Sequence, residues 1–171
     1  MDSNIDETKK ALDALHFIIP ILEKYKFQWL ITGGFACYVY GVKRPLTDID
    51  IDIDIDTSKD SPEFKGFLEE LKPLVTEKLN NFVDKNYDNW TCEITFQGQV
   101  IDICPIDELK IFNKECGVYE FFYTKPLRIE MIAFHGLQLP LLPKDLIIKN
   151  KEMLVWQRES DLQDIEGLKT L

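Results

Sequence analysis

The chain has 171 residues, of which 45% are hydrophobic and 29% charged, and its formal net charge is −10 at pH 7. This composition predicts one folded domain and excludes an intrinsically disordered chain. The acidic charge argues against binding long nucleic acid, because such binding depends on lysine and arginine neutralising phosphates. No apolar run reaches the roughly 18 residues of a membrane span, and the segment MDSNIDETKK lacks the pattern of a secretion signal. We therefore expect a cytosolic protein without a membrane anchor.

The first third of the chain contains a helix and then a strand, a glycine turn and a second helix. Helical periodicity predicts the first helix over residues 6–25, and Pro20 should kink or split it. A short apolar strand at residues 27–31 then stops at a Thr-Gly-Gly turn. Residues 35–40 follow as a short helix that Gly41 ends.

The clearest strand is the run TDIDIDIDID, residues 47–56, in which aspartate and isoleucine alternate strictly. The isoleucines should face the core and fix the register of this strand, with the aspartates on its other face. Ser61 and Pro62 are typical of a helix cap and first turn. Apolar residues extend that helix to about Asn80, and Pro73 could bend it.

The second half of the chain predicts more strands and two further helices. Residues 90–96 and 99–104 should form an antiparallel hairpin with its turn at Gln97 and Gly98. Residues 118–123 and 127–132 could add another strand pair, Pro143 opens a helix, and a final helix should begin near Ser160. The order predicts an α/β or α+β fold with a mixed sheet flanked by helices. We expect one domain over residues 1–171, with a core at about 26–133 and a C-terminal helical part at about 143–171.

Asp48 and Asp50 are the first candidate metal ligands. They point to the same side of the predicted strand, about 6.5 to 7 Å apart at the backbone, and can converge on one ion or on two adjacent ions. Hard divalent cations such as Mg²⁺ take oxygen ligands and are held by a few carboxylates and the phosphates of a substrate. Asp102, between Ile101 and Ile103 on a neighbouring strand, is the third candidate. The alternative is an exposed residue on an alternating strand.

Gly33 and Gly34 allow the backbone to approach a bound group, and the helix after them offers free N–H groups suited to a phosphate. By itself a pair of glycines is more often only a tight turn. The longer segment LITGGFACYVYGVKRPLTDIDIDI, however, resembles the signature of the polymerase-β-like nucleotidyltransferase superfamily: a hydrophobic residue, Gly, Gly or Ser, a spacer, then Asp-hydrophobic-Asp. The spacer, residues 35–47, has thirteen residues and selects Asp48 and Asp50 as the motif pair.

The resemblance is to small stand-alone bacterial and archaeal members, including minimal and abortive-infection toxin-like proteins. Arg44 precedes Asp48 as in their RxTxDhD form, although Leu46 stands where they carry threonine and Thr47 comes next. The segment LLPKDLIIKNKEMLVWQRESDLQDIEGL resembles their closing pattern, with Ser160 in place of a lysine. The residues that match this pattern are Asn150, Lys151, Arg158, Asp161 and Asp164.

Two pairs of these C-terminal residues have alternative roles. Lys151 and Arg158 could contact either nucleotide phosphates or carboxylates inside the protein. Asp161 and Asp164 need no ligand to explain them, because acids in the first turns of a helix favour its dipole.

The resemblance implies an enzyme with the nucleotidyltransferase fold that transfers a nucleoside monophosphate from an NTP to a hydroxyl group and releases pyrophosphate. Asp48, Asp50 and Asp102 would hold two Mg²⁺ ions, for which Mn²⁺ could substitute, and Asp102 would accept the proton of the hydroxyl. The residues implied in nucleotide binding are Gly33, Gly34, Arg44, Thr47, Lys151 and Arg158. The acceptor stays open among a small molecule, a protein side chain and a tRNA end, and the acidic charge weighs against tRNA.

Two other functions compete with this one. The chain could be a toxin–antitoxin component that acts through a helical partner protein, with or without transferase activity. The aromatic residues at positions 119–123 would then be a candidate contact, although packing in the core is the favoured role for them. A non-catalytic Ca²⁺-binding module ranks last, because a Ca²⁺ loop bends around its ion and a strand with isoleucine at alternate positions does not.

The remaining acids of the Asp/Ile run are Asp52, Asp54 and Asp56, which lie progressively farther from the motif pair. We expect most of them to face solvent. Asp52 is the one best placed to assist the metal ligands.

Overall fold

The computed structural model describes residues 3–54 and 60–171. The described chain forms a single mixed β-sheet flanked by helices. The helices are α1 (Ser3–Lys24), α2 (Gly33–Tyr40), α3 (Pro62–Leu71), α4 (Lys144–Met153) and α5 (Glu159–Thr170). The strands are β1 (Gln28–Thr32), β2 (Asp48–Asp54), β3 (Val75–Val83), β4 (Tyr87–Phe96), β5 (Gln99–Pro105), β6 (Lys110–Asn113), β7 (Val118–Phe121), β8 (Glu130–Phe134) and β9 (Leu137–Leu141). The predicted fold class is confirmed.

The Asp/Ile strand β2 lies in the interior of the sheet. The strand order is β7-β6-β4-β5-β2-β1-β9-β8, and β3 pairs with β4 outside this path. β2 runs antiparallel to β1 and parallel to β5, and Asp50 pairs with Thr32 on one side and with Asp102 on the other. The sheet therefore brings the glycine turn after β1 level with aspartates from two neighbouring strands.

The isoleucines of β2 anchor this register in the core, as predicted. Ile49, Ile51 and Ile53 are completely buried and share one hydrophobic core with residues of α1 and α3. Each fully buried isoleucine contributes roughly 1.5–3 kcal/mol. A slip of one residue would expose all three and bury the aspartates instead, so the alternation fixes which face carries the acids.

The helix α1 is continuous, so the predicted split at Pro20 is wrong, whereas the predicted kink stays a prediction. Pro20 lies inside the helix on its exposed side. The carbonyl of His16, which loses its usual amide partner, belongs to an exposed residue and can bond water instead. No helix in the described part of the chain is long and apolar enough to cross a membrane.

The predicted helix from Ser61 to Asn80 is half right. Ser61 caps α3, its hydroxyl oxygen accepting a hydrogen bond from the Phe64 amide at 3.2 Å. The helix ends at Leu71, however, where a 3₁₀ turn containing Pro73 leads into β3. β3 pairs with β4 and is almost wholly exposed, so its few apolar residues do not alternate as a half-buried strand would.

The predicted hairpin at Gln97 and Gly98 is confirmed as β4 and β5, and both turn residues have positive φ, which suits a two-residue hairpin turn. The predicted pairing of residues 118–123 with residues 127–132 is wrong. β7 pairs with β6 and β8 pairs with β9, at opposite edges of the sheet. The helices predicted after Pro143 and near Ser160 are confirmed as α4 and α5.

Candidate active site

Three carboxylates from two neighbouring strands meet at one point of the sheet. Asp48 and Asp50 belong to β2 and Asp102 to β5, and one ligand oxygen of each lies within 4.8 Å of the others. The Thr47 hydroxyl donates a hydrogen bond to Asp48 Oδ1 at 2.7 Å and so orients that carboxylate. A set made only of carboxylate oxygens is the ligand chemistry of a hard divalent cation.

The glycine turn is packed directly against this cluster. A Cβ at Gly33 would lie 1.8 Å from Asp50 Oδ2, and Gly33 has a positive φ of 61°. A Cβ at Gly34 would lie 1.9 Å from Nη2 of Arg44. The two glycines are therefore required by the side chains of Asp50 and Arg44, whatever the turn binds. Their predicted approach to nucleotide phosphates stays a prediction.

Crowding and burial make the carboxylate cluster electrostatically costly. Burial raises the pKa of Asp50 well above its usual range, and the charges of Asp48 and Asp102 raise it further. Burial also raises the pKa of Asp102 to about 6, with added repulsion from Asp48, Glu93 and Glu77. Within residues 3–54 and 60–171, no lysine or arginine forms a salt bridge with any of the three ligand candidates. A bound cation would relieve this repulsion.

Asp52 and Asp54 are buried, which corrects the expectation that they face solvent. Asp52 is 4% exposed and accepts a hydrogen bond from the Tyr123 hydroxyl, and burial raises its pKa to about 7. Asp54 is 7% exposed and its Oδ1 lies 2.9 Å from Lys125 Nζ. Partners from a distant part of the chain allow both acids to be enclosed. Asp56 lies outside the described residues.

The raised carboxylate pKa values predict how the metal-free chain responds to pH. Native Asp52 and Asp102 hold protons that the unfolded chain has already released above about pH 4. Their contribution to stability is therefore full below about pH 4 and is lost as the pH rises through about 6 to 7. Thermal unfolding in EDTA should show a melting temperature that falls over this range. The Asp52→Asn, Asp102→Asn double variant should show a flatter profile, and equal slopes would contradict the assignment.

The predicted phosphate-binding basic residues are held by buried acids of α5. Arg44 forms two hydrogen bonds to Asp164, at 2.7 and 3.0 Å. Lys151 Nζ lies 2.7 Å from Asp161 Oδ1 and 3.1 Å from Asp164 Oδ2. Arg158 binds Asp161 through both its backbone amide and its guanidinium group. Of the two alternatives for Lys151 and Arg158, the structure shows contacts with internal carboxylates.

The helix-dipole interpretation of Asp161 and Asp164 is insufficient. Their side chains are 1% and 0% exposed, which charged groups tolerate only when they are paired. Burial alone would raise the pKa of Asp161, but hydrogen bonds from Arg158 and Lys151 outweigh it and lower the pKa to about 2. This network joins α5 to α4 and to the segment before β2, beside the carboxylate cluster.

Replacing Lys151 by methionine should destabilise the fold by about 3 kcal/mol, because it leaves two buried carboxylates with an incomplete set of partners. Lys169→Met is the matched control, since Lys169 pairs with Glu152 on the surface, where both side chains are about half exposed. The control should cost less than about 1 kcal/mol. Urea unfolding measures the free energy of unfolding of both variants. Equal losses in the two would show that the buried pairs stabilise the fold no more than a surface pair does.

The predicted site residues all line one cleft, whose volume is about 690 Å³. Its lining includes Gly33, Gly34, Arg44, Thr47, Asp48, Asp50, Asp102, Lys151 and Arg158. It also includes residues that the sequence analysis did not single out, among them Asp52, Glu77, Tyr87, Asn89 and Cys104. Tyr87 and Asn89 alternate along β4, but the predicted strand began at residue 90, so the period-two rule did not reach them.

The architecture is shared with solved nucleotidyltransferases. A Thermotoga maritima protein assigned as a nucleotidyltransferase has a TM-score of 0.69 and 18% identity, over 95% of this chain and 90% of that one. The chain has the nucleotidyltransferase fold. The enzyme ANT(2'')-Ia in complex with adenylyl-2''-tobramycin gives a TM-score of 0.59 at 18% identity, over 95% and 88% of the two chains.

A third solved structure has a similar fold. A nucleotidyltransferase-like protein of Paracoccidioides brasiliensis has a TM-score of 0.55 and 13% identity, over 95% of this chain and 76% of that one. No protein-family model and no curated protein matches the sequence. The fold predicted from the glycine and aspartate motif is thus confirmed by structures that share little of the sequence.

Proposed function

We propose that this chain is a nucleotidyltransferase that moves a nucleoside monophosphate from an NTP to a hydroxyl group of a small molecule or a protein and releases pyrophosphate. The observation that carries the proposal is the convergence of Asp48, Asp50 and Asp102 in a cleft beside the glycine turn, within a fold that known nucleotidyltransferases share. No lysine or arginine among the described residues forms a salt bridge with these three carboxylates, so they are available to a metal–nucleotide complex.

The carboxylates suit Mg²⁺, or Mn²⁺ in its place, because all three offer oxygen ligands and none has a competing basic partner among the described residues. Two ions shared by Asp48, Asp50 and Asp102 would neutralise charge on the triphosphate and lower the pKa of the attacking hydroxyl. Asp102 would accept the proton of that hydroxyl.

The other cleft residues would position the nucleotide. The N-terminus of α2, which begins at Gly33, presents free backbone N–H groups beside Asp50 and can receive a phosphate there. Arg158 is the basic residue best able to reach a phosphate, because its side chain is 62% exposed whereas Lys151 is nearly buried. Arg44 and Lys151 would then act mainly by fixing α5 against the cleft, and Thr47 by orienting Asp48.

Pyrophosphate release tests this function directly. The wild-type chain, supplied with Mg²⁺, each of the four common NTPs and a hydroxyl acceptor, should release pyrophosphate, and the Asp48→Asn, Asp50→Asn variant should not. Tobramycin is the first acceptor to try, since the ANT(2'')-Ia structure contains its adenylylated form. Glu23→Gln, on the exposed side of α1, removes the same kind of charge outside the cleft and should remain active.

An unchanged rate in the double variant would contradict the assignment of the two aspartates. The same samples test the metal separately: Mg²⁺ should raise the melting temperature of the wild type and of Glu23→Gln but not that of the double variant. The toxin–antitoxin alternative stays a prediction, and copurification of a stoichiometric partner protein would be its test.

A further inference from the structure

The connection between α4 and α5, residues 154–158, ends at Arg158, which lines the cleft. The Arg158 side chain is 62% exposed, so surrounding side chains do not enclose it. Its Nε and Nη2 atoms lie 3.2 and 3.4 Å from the carboxylate oxygens of Asp161. Among the described residues no acceptor binds Nη1, so that end of the guanidinium group can donate to a phosphate. Its position depends on the backbone that carries it.

One buried side chain holds this backbone. The Trp156 amide donates to Asn86 Oδ1 at 3.1 Å, and Asn86 Nδ2 donates to the Trp156 carbonyl at 3.0 Å. A single carboxamide thus satisfies both backbone groups of Trp156, as a neighbouring antiparallel strand would. Asn86 is 5% exposed, so water competes little for its side chain. This pair of hydrogen bonds is called the Asn86 clasp below.

The clasp is built on a turn that is itself firmly held. Asn86 belongs to the turn between β3 and β4, where Asp84 Oδ1 accepts from the amides of Asn86 and Tyr87 at 2.8 and 2.7 Å. The Asn86 carbonyl accepts from the Phe112 amide on β6 at 2.9 Å. The Asp84 carbonyl accepts from the Tyr119 hydroxyl on β7. Contacts with two further strands therefore fix the turn, and its side chains can impose a position on the helix connection.

The clasp is separate from the buried ion pairs that hold α5. Those ion pairs fasten α5 to the segment before β2. The clasp fastens the helix connection to the start of β4, and β5 separates β4 from β2 in the sheet. The hydroxyl of Tyr87, the residue after Asn86, donates to Asn150 Oδ1 on α4 at 3.3 Å. The C-terminal helices are therefore held at two separate places, and the clasp is two residues away from Arg158.

We propose that Asn86 is a positioning residue for the nucleotide: through Trp156 it holds the backbone of Arg158 so that the guanidinium group reaches the triphosphate. This inference rests on the proposed function and adds to it a residue that does not line the cleft. Without the clasp, residues 154–158 gain conformational freedom, and Arg158 loses more of that freedom when it binds a phosphate. Loss of the clasp should therefore weaken nucleotide binding through Arg158.

Calorimetric titration with Mg²⁺ and a non-hydrolysable ATP analogue tests this proposal in a double-mutant cycle. Arg158→Gln should weaken binding about tenfold to a hundredfold, as expected for the loss of a hydrogen bond between charged groups. Asn86→Ala should weaken binding about tenfold when Arg158 is present, and less than about twofold when Arg158 is already glutamine. A residue that only supports the fold would weaken binding equally in both backgrounds.

Asn113→Ala is the matched control. The Asn113 side chain also bridges two groups of a turn, since it donates to Glu120 and accepts from the Glu115 amide, but it lies between β6 and β7 and does not line the cleft. This variant should bind the analogue as the wild type does. If Asn86→Ala does not fold, as judged by circular dichroism, Asn86→Ser takes its place in the cycle. Serine keeps a polar group in the turn but cannot reach both backbone groups of Trp156.

Equal weakening by the Asn86 variant in both backgrounds would overturn the proposal. Unchanged affinity in either single variant, or no binding by the wild type, would overturn it as well. The proposed function is read separately, from pyrophosphate release. Coupled binding without transfer would support the positioning role and contradict the function, whereas transfer with equal weakening in both backgrounds would do the reverse.

Discussion

Replacing Asp50 by asparagine should abolish nucleotidyl transfer and also stabilise the ligand-free chain. Asparagine keeps the size of the side chain that packs on Gly33, and it removes the most buried charge of the carboxylate cluster. The relieved repulsion should add about 1 kcal/mol to the free energy of unfolding, or about 2–4 °C to the melting temperature. The lost metal ligand should lower kcat/KM by about a thousandfold, since metal-assisted charge stabilisation is worth several kcal/mol.

A gain in stability together with a loss of activity distinguishes a metal ligand from a residue that only supports the fold. A residue that only supports the fold would lose stability when replaced, and activity would fall with it. Mg²⁺ should raise the melting temperature of the wild type and have little effect on Asp50→Asn. Asp88→Asn, which breaks a pair with Lys110 away from the carboxylate cluster, is the control and should not gain stability. A destabilised or fully active Asp50→Asn variant would contradict the assignment.

Replacing Gly33 by alanine should reduce activity about a hundredfold through the position of Asp50. The added Cβ would lie 1.8 Å from Asp50 Oδ2, so the carboxylate must move away from the position it shares with Asp102. A displacement of about 1 Å at a catalytic group costs about a hundredfold in rate. The positive φ of Gly33 adds about 1–2 kcal/mol of backbone strain for any residue with a Cβ.

Gly136→Ala separates the two contributions to the Gly33 effect. Gly136 also has a positive φ, at 86°, but a Cβ there would meet no atom within 4 Å, and it lies in the turn between β8 and β9. Gly136→Ala therefore measures the backbone strain alone, and Gly33→Ala should lose at least as much stability by urea unfolding. Only Gly33→Ala should lose activity, and a parallel loss in Gly136→Ala would attribute the effect to strain alone.

The position of the three clustered carboxylates could be predicted because their signal is local. Strict alternation of aspartate and isoleucine fixes both the strand and its face, and the spacing from the glycine turn selects Asp48 and Asp50. Asp102 followed from its apolar neighbours on a predicted strand, and the parallel pairing of β2 with β5 brings it beside Asp50. Each of these inferences needed only a short stretch of chain and its periodicity.

The environment of the other acids could not be predicted, because their partners lie far away in sequence. Asp52 is buried through Tyr123 and Asp54 through Lys125, each 71 positions downstream. The sequence predicts helix where β3 lies, because β3 is exposed along nearly its whole length and its apolar residues do not alternate. Its identity as a strand is set by pairing with β4, which is tertiary information.

The internal pairing of the C-terminal basic residues was one of two alternatives, and charge and spacing did not decide between them. Lys151 is on α4 and Asp161 on α5, and their contact depends on how the two helices pack. If α4 and α5 packed so that Lys151 stayed exposed in the cleft, its ammonium group could instead contact a phosphate. The structure encloses Lys151 with two acids, so the contact with phosphate that remains in the proposed function falls to Arg158 and to the backbone of α2.

A crystal of the chain grown with Mn²⁺ and a non-hydrolysable ATP analogue, measured at the manganese absorption edge, tests the central claim most directly. The anomalous difference map should show Mn²⁺ bound by Asp48 and Asp50 and bridged to the triphosphate, with a second ion shared by Asp50 and Asp102. Neither peak should appear with the Asp48→Asn, Asp50→Asn variant. A nucleotide bound without Mn²⁺ at these carboxylates, or Mn²⁺ bound only elsewhere on the chain, would contradict the claim that this cluster is the catalytic metal centre.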